Sequence, residues 1–302
     1  MATLGYKTEI KLRNILYLTD FSGPSEAALS FAIMLGRECG AKVHALHILL
    51  PTPYPYAYAA PGFTAAALEA EEENARAEMQ KVESQLALLE HETNVERGIN
   101  VWPGVEQAIR DGAIDLIVVG THGRTGADKL LLGSVAEEIF RRSPVPVLTV
   151  GPCVRSDAHR GGRFRRVLFA TDLTAESLAR APCAVSLAQK HQAHLLLLLV
   201  MPKPEHPSAD DNKRLAVCTA EAIQRLYEIV PYDAKSELSS EAVVEYGEPA
   251  ERILEITKQR EVDLVVLGVR EAKHIGAATH LEGAIAHKVV AHAPCPVLTV
   301  RG

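Results

Sequence analysis

Short apolar runs alternate with segments of helical period along the first half of this chain. Residues 14–19, 42–49, 94–98, 115–119 and 146–150 are rich in β-branched or aliphatic residues and read as buried strands. Between them, 25–39 carries Ala28, Phe31, Ala32 and Leu35 at helical spacing, and 68–90 is rich in Ala, Glu and Leu. Segments 104–112 and 134–142 complete the set of helices. Strands this continuously apolar are covered on both faces, which is the condition of a parallel sheet flanked by helices. With right-handed crossovers, the pattern predicts a doubly wound, five-stranded α/β domain of Rossmann-like architecture.

The same series then recurs. NILYLTDFS (14–22) returns as RVLFATDLT (166–174), AKVHALHILLP (41–51) as AHLLLLLVMP (193–202), and VERG (95–98) as VEYG (244–247). DLIVVG (115–120) matches DLVVLG (263–268), and SPVPVLTVG (143–151) matches APCPVLTVR (293–301), in the same order. A repeat of this length is a duplicated domain. The sequence therefore predicts one domain over 1–151, an exposed linker over 152–165, and a second domain over 166–302, each with its own sheet.

Composition narrows the function classes. A net charge of −6 supplies no global basic field for nucleic acid or an anionic membrane, and the local RGGRFRR (160–166) reads as a solvated linker. Five scattered cysteines without CxxC spacing fit a reducing cytoplasm and argue against disulfides and zinc. The opening MATLGYKTEIKLRN is polar, and LLLLLVM (195–201) is too short for a bilayer. A soluble, cytoplasmic protein is expected.

Ligands of doubly wound sheets sit beyond the carboxyl ends of the strands. That directs attention to TDFSG (19–23) and to GTHGRTGADKLLLGS (120–134). The latter is neither a Walker A loop nor GxGxxG; it is Gly-x2-Gly-x9-Gly-Ser, through Gly120, Gly123, Gly133 and Ser134. Glycines let backbone amides converge on anionic oxygens, and Gly133-Ser134 opens a helix whose first amides and dipole favour phosphate. His122 and Arg124 would add donors and charge. A second explanation needs no ligand: Ser134 and Glu137 form the S-x-x-E pattern of a capping box. Asp20 and Ser22 likewise read either as ligand contacts or as N-caps of the helix near Pro24.

The repeat unit resembles the universal stress protein domain, on ILYLTDFS, ALHILLP, DLIVVGTHGRTG, LLGSVAEEI and SPVPVLTV. The resemblance covers most of 10–151 and, more weakly, 163–301. It implies ATP, with or without Mg2+, in the first domain. Asp20 and Ile48 would hold adenine and ribose; Gly120, His122, Gly123 and Arg124 would line ribose and phosphates. Gly133, Ser134 and Val135 would take the phosphate tail. It implies further that domains pair through their last strands, as a homodimer or, between the two halves, as an intrachain pseudo-dimer, with a protein partner unidentified.

The second half departs from the motif: Glu271 replaces its second glycine, Gly283 falls eleven residues later instead of nine, and Ala284 stands for Ser134. ATP is expected in the first domain alone. His274, His280, His287 and His292 lack ligand-spaced carboxylates or thiols and read as polar-face histidines; no metal site is expected. Cys295, between two prolines, reads as buried, and the Pro/Tyr/Ala-rich 51–67 as a surface loop. No acid–base pair for fast turnover accompanies the loop. The expected function is a nucleotide-responsive stress-resistance factor that acts by binding. The alternatives are a slow ATPase or adenylyl-transfer enzyme of the adenine-nucleotide α-hydrolase-like superfamily, or a nucleotide-free scaffold.

Overall fold

A computed structural model of the chain describes residues 12–51, 65–121, 133–154, 162–203, 209–269 and 279–301. In the first domain, β1 (Asn14–Leu18), β2 (Lys42–Leu49), β3 (His91–Arg97), β4 (Leu116–Gly120) and β5 (Val147–Val150) alternate with α1 (Gly23–Cys39), α2 (Ala65–Leu86), α3 (Val101–Asp111) and α4 (Ser134–Arg142). The second repeats the plan. Its strands are β6 (Arg166–Ala170), β7 (His194–Met201), β8 (Ser240–Tyr246), β9 (Leu264–Val269) and β10 (Val297–Arg301). Its helices are α5 (Ala175–Leu178), α6 (Ala181–Lys190), α7 (Ala209–Tyr227), α8 (Pro249–Gln259) and α9 (Thr279–His292). Two α/β domains in tandem are thus present, as the repeat requires.

The two five-stranded units are not separate sheets. They fuse into ten strands in the order β3-β2-β1-β4-β5-β10-β9-β6-β7-β8. Within each half every pairing is parallel, while β5 and β10 meet antiparallel, with Val297 opposite Thr149, Leu298 opposite Leu148 and Thr299 opposite Val147. The Thr299 hydroxyl adds a bond to the Val147 carbonyl at 3.3 Å, and Arg301 donates to the Arg142 carbonyl at 2.8 Å. Last-strand pairing between the halves follows from their flat, apolar PVPVLTV and PCPVLTV edges, which would otherwise be open to aggregation.

Alternation along the strands divides the core by face. Ile15 and Tyr17 point one way with Phe31, Leu148 and Leu298, and Leu16 and Leu18 point the other way with Trp102, Val105 and Ile139. Each cluster draws on both halves. The expected exposed linker needs one correction: Phe164 near its end is only 1% exposed. Its ring stacks 6.5 Å from Phe31 and lies 4.9 Å from His191, filling the space where the two domains meet. An aromatic ring is too large an apolar surface to leave in water when such a space exists.

Candidate functional site

The first candidate loop leaves β1 through a tight turn. Thr19 donates its N–H to the Leu46 carbonyl at 3.1 Å, and the Phe21 N–H donates to the Thr19 hydroxyl oxygen at 3.0 Å. Asp20 Oδ1 accepts both the N–H and the hydroxyl of Ser22, at 3.1 and 2.6 Å. The turn forces Phe21 to φ 61°, which a non-glycine residue adopts only when its surroundings hold it there. Ser22 is the N-cap of α1 by position, but its side chain makes no capping bond. Beneath the turn, buried Tyr17 donates to the Ser25 carbonyl at 2.8 Å, and burial pushes its phenol up to about 12.

The same turn exists in the second domain. Asp172 Oδ1 accepts from the Thr174 N–H and hydroxyl at 3.0 and 2.7 Å, and Leu173 sits at φ 60°. This turn therefore belongs to the fold. His47 is peculiar to the first domain; Leu199 stands at its place in the second. The His47 ring packs 4.4 Å from Phe21, and its Nδ1 lies 2.8 Å from the Thr19 carbonyl oxygen. Sequence reading passed over His47, although a buried polar residue within the apolar carboxyl end of β2, ALHIL, was a usable signal.

The strand register sets Gly120 beside Thr19, one step beyond the Leu18–Val119 pair. A Cβ on Gly120 would lie 2.7 Å from the Pro24 carbonyl oxygen and 2.9 Å from the Ser25 nitrogen. The glycine thus has a packing reason of its own, the close passage of β4 past the start of α1. Ile48 is half-buried near the end of β2, and its Cδ1 would sit 2.7 Å from a Cβ on Gly104 of α3. His122, Gly123 and Arg124 lie outside the described residues.

The start of α4 overturns the capping-box reading. Gly133, at φ −63° and ψ 141°, is the N-cap, and Ser134 is already helical. Glu137 donates its N–H to the Gly133 carbonyl at 3.0 Å while its carboxylate pairs with Arg141 at 3.2 Å. A capping box requires a non-helical Ser, and here that place belongs to a residue with no side chain. Gly133 spends its own N–H on the Thr121 carbonyl at 2.6 Å, so it serves as the extended entry to the helix. The amides of Ser134, Val135 and Ala136 fall in the first turn, where the helix supplies no acceptor. Ser134 is exposed and Val135 is 37% exposed.

The second domain is built otherwise. α9 begins at Thr279, so Ala284, the counterpart of Ser134, lies sixth in the helix and its amide belongs to the internal ladder. Glu271 lies outside the described residues. Among the described residues, no group of three or more His, Cys, Asp or Glu side chains could hold a metal, and no helix is long and apolar enough to cross a membrane. All five cysteines are free; Cys295 is buried, as expected, and burial pushes the Cys183 thiol up to about 12.

Comparison with known proteins agrees with this architecture. The model of the universal stress protein family matches twice, over residues 11–151 and 163–301. A universal stress protein of Methanocaldococcus jannaschii is 32% identical over 140 residues, which is 46% of this chain and 81% of that one. Another from Thermus aquaticus is 32% identical over 142 residues, covering 46% of this chain and 99% of its own. Among solved structures, a universal stress protein from Archaeoglobus fulgidus DSM 4304 superposes with a TM-score of 0.66 at 19% identity, covering 97% of this chain and 98% of that one. The last is a likeness of fold.

Proposed function

This chain belongs to the universal stress protein family as a tandem of two such domains, and from that premise we propose that its first domain binds ATP and its second does not. The observation that carries the reading is the contrast between α4 and α9 within one chain. α4 opens on a side-chain-free cap with three first-turn amides and an exposed serine hydroxyl. α9 draws the equivalent position into its interior. Converging first-turn amides and the helix dipole are what a polyphosphate requires.

In this reading Ser134 and Val135 receive the phosphate tail through their amides, and Ser134 adds its hydroxyl. Gly133 presents the helix end, and Gly123, His122 and Arg124 carry the phosphates toward Gly120. Asp20, fixed by Ser22, and Ile48 flank the nucleoside, with His47 and Phe21 stiffening the turn behind them. Mg2+ would arrive on the triphosphate, since that ion prefers phosphate oxygens and water to an all-protein cage. Bound ATP supplies charge and a change in conformational populations; nothing in this set of residues is poised as a general base for fast hydrolysis. The protein would then work in the cytoplasm as a nucleotide-dependent stress factor that passes its state to a protein partner.

Mass spectrometry of nucleotide released from denatured, freshly purified protein tests this. Wild type is expected to carry or take up ATP, and Gly123→Glu, which copies Glu271 into the first domain, to lose it. Wild type that carries none and ignores added ATP refutes the reading. Equal retention by both proteins moves the site elsewhere.

A further inference from the structure

A polar groove crosses the amino-terminal ends of β1, β2 and β3, beside the last turn of α3. It holds about 930 Å3, open mouth included, over a floor of Leu16, Leu46 and Ala108. Three carboxylates line it, those of Glu92, Glu96 and Asp111, against the single ammonium of Lys42. The chain reaches β1 from the opposite face, where Leu12 is buried with Leu35 and Phe164. The repeat supplies an internal comparison. α3 matches α8 residue for residue, as β3 matches β8, so Glu92 corresponds to Glu241, Ala108 to Ile256 and Gly112 to Arg260. In the second domain Arg260 takes the place: its guanidinium grips Glu241 with two nitrogens, at 3.0 and 3.4 Å. Ile256, Val243 and Leu196 stand there in place of Ala108, Asn94 and His44.

Backbone conformation does not require the glycine at 112. Its φ −87° and ψ 1° are close to the −96° and 5° of Arg260. The first domain thus keeps the acceptor of an arginine and lacks the arginine. Lys42 does not use up that acceptor. Its Nζ lies 3.0 Å from Glu92 Oε2, and its counterpart His194 lies 3.6 Å from a Glu241 that also holds Arg260. Glu96 accepts from Asn94 at 2.6 Å. Asp111 makes no hydrogen bond or ion pair among the described residues, and neutral Gln259 stands at its place in the second domain. Burial, with Lys42, holds the His44 imidazole below its usual range, so it adds no positive charge near neutral pH. The carboxyl end of α3 contributes the negative end of its dipole. An anion would be repelled here. A planar cation on an apolar stem meets matched acceptors and a matched floor.

We propose that this groove binds a guanidinium group from outside the chain, seated as Arg260 is seated in the second domain, with its stem on Leu16 and Leu46. The site lies at the opposite strand ends from the proposed ATP site and does not depend on it. The test is calorimetry and ligand-observed NMR on the full chain with two guanidinium probes and their uncharged urea isosteres. The probes are n-butylguanidine beside n-butylurea, and acetyl-Gly-Arg-Gly-amide beside its citrulline counterpart. At least one guanidinium is expected to bind about ten-fold or more tightly than its isostere. Tighter binding by the peptide points to an arginine of a partner protein, and tighter binding by butylguanidine to a small molecule. Gly112→Arg gives the groove the arginine that the second domain has and is expected to abolish binding of both probes.

Should Gly112→Arg not fold, Glu92→Gln combined with Asp111→Asn alters only exposed side chains and is expected to weaken both probes about ten-fold or more. Absence of binding by both guanidinium probes at millimolar concentration overturns the proposal. So does equal binding of each probe and its isostere, or affinity unchanged in these variants. ATP retention by the same samples reports on the nucleotide site alone, so failure of either reading is seen separately.

Discussion

Gly120 and Gly268 occupy equivalent strand ends but answer to different neighbours. A methyl on Gly120 meets the Pro24 backbone at 2.7 Å, and neither β4 nor α1 has room to yield. A methyl on Gly268 meets the stem of buried Arg180 at 2.7 Å, and moving that side chain breaks its bonds to the Glu176 and Val269 carbonyls. Gly120→Ala and Gly268→Ala are therefore both expected to cost about 2–3 kcal/mol, the first by pushing backbone and the second by displacing a hydrogen-bonded arginine, measured by urea unfolding. Ser134→Asp separates binding from folding. A carboxylate in the first turn of α4 complements the helix dipole and should leave stability unchanged or raise it by up to about 1 kcal/mol. It should still expel ATP, because it occupies the phosphate's place. Sequence could not distinguish these glycines: in GTHGRTG all look alike, and only the approach of Pro24 shows that Gly120 is needed for packing. Asp20 had the same ambiguity, which the matching turn at Asp172 resolves toward a structural duty that a ligand contact would share.

At the level of elements, the strands and helices were legible because both obligations of a covered parallel sheet are written in apolar periodicity. α4 spans Ser134–Arg142 as the spacing predicts. β3 was not fully legible: it starts at His91, three residues before its apolar portion. As an edge strand it alternates exposed and half-buried polar residues, so an apolar criterion finds only its end. The early start of α9 was passed over, although Thr279 and Glu282 make the same S/T-x-x-E start pattern that Ser134 and Glu137 make in the first domain. The difference between α4 and α9 has a direct readout in amide hydrogen exchange. The Ser134, Val135 and Ala136 amides should exchange quickly without nucleotide and become protected on adding ATP, whereas the Ala284 amide should be protected in both conditions.

For the whole molecule, one contact reports on how the domains are joined. Glu38 of α1 reaches across to His191 at the end of α6, with Oε2 2.9 Å from Nδ1, and the Phe164 N–H donates to the same nitrogen at 3.2 Å. Burial, reinforced by Lys190 and Arg163, depresses the His191 imidazole to about 4, and burial raises the Glu38 carboxyl. The unfolded chain protonates His191 first, so His191 contributes stability above pH 6.5 that is lost as pH falls toward 4. One proton sets the limit, about 1.4 kcal/mol per pH unit. Glu38 works the other way, gaining its proton more readily in the folded state as pH falls. The expected net result is a shallow loss of stability between pH 6.5 and 5 that His191→Gln flattens, followed by urea midpoints. The β5–β10 seam and the shared core further predict that residues 1–154 and 162–302, produced as separate chains, co-purify as a one-to-one complex.

The single antiparallel pairing at β5–β10 has a consequence for how two ligand states could be read. Because every other pairing is parallel, reversing direction at that one seam turns the second domain end for end. The carboxyl ends of the first five strands and of the last five therefore face opposite poles of one continuous slab. A ligand bound at one pole would share no contact and no entrance with a ligand bound at the other. A partner that gripped either pole would sense one ligand only. Information from both converges solely at the molecule's equator, on the few residues around Leu148, Leu298 and Phe164, and a regulator of the whole chain has that belt as its natural place to listen.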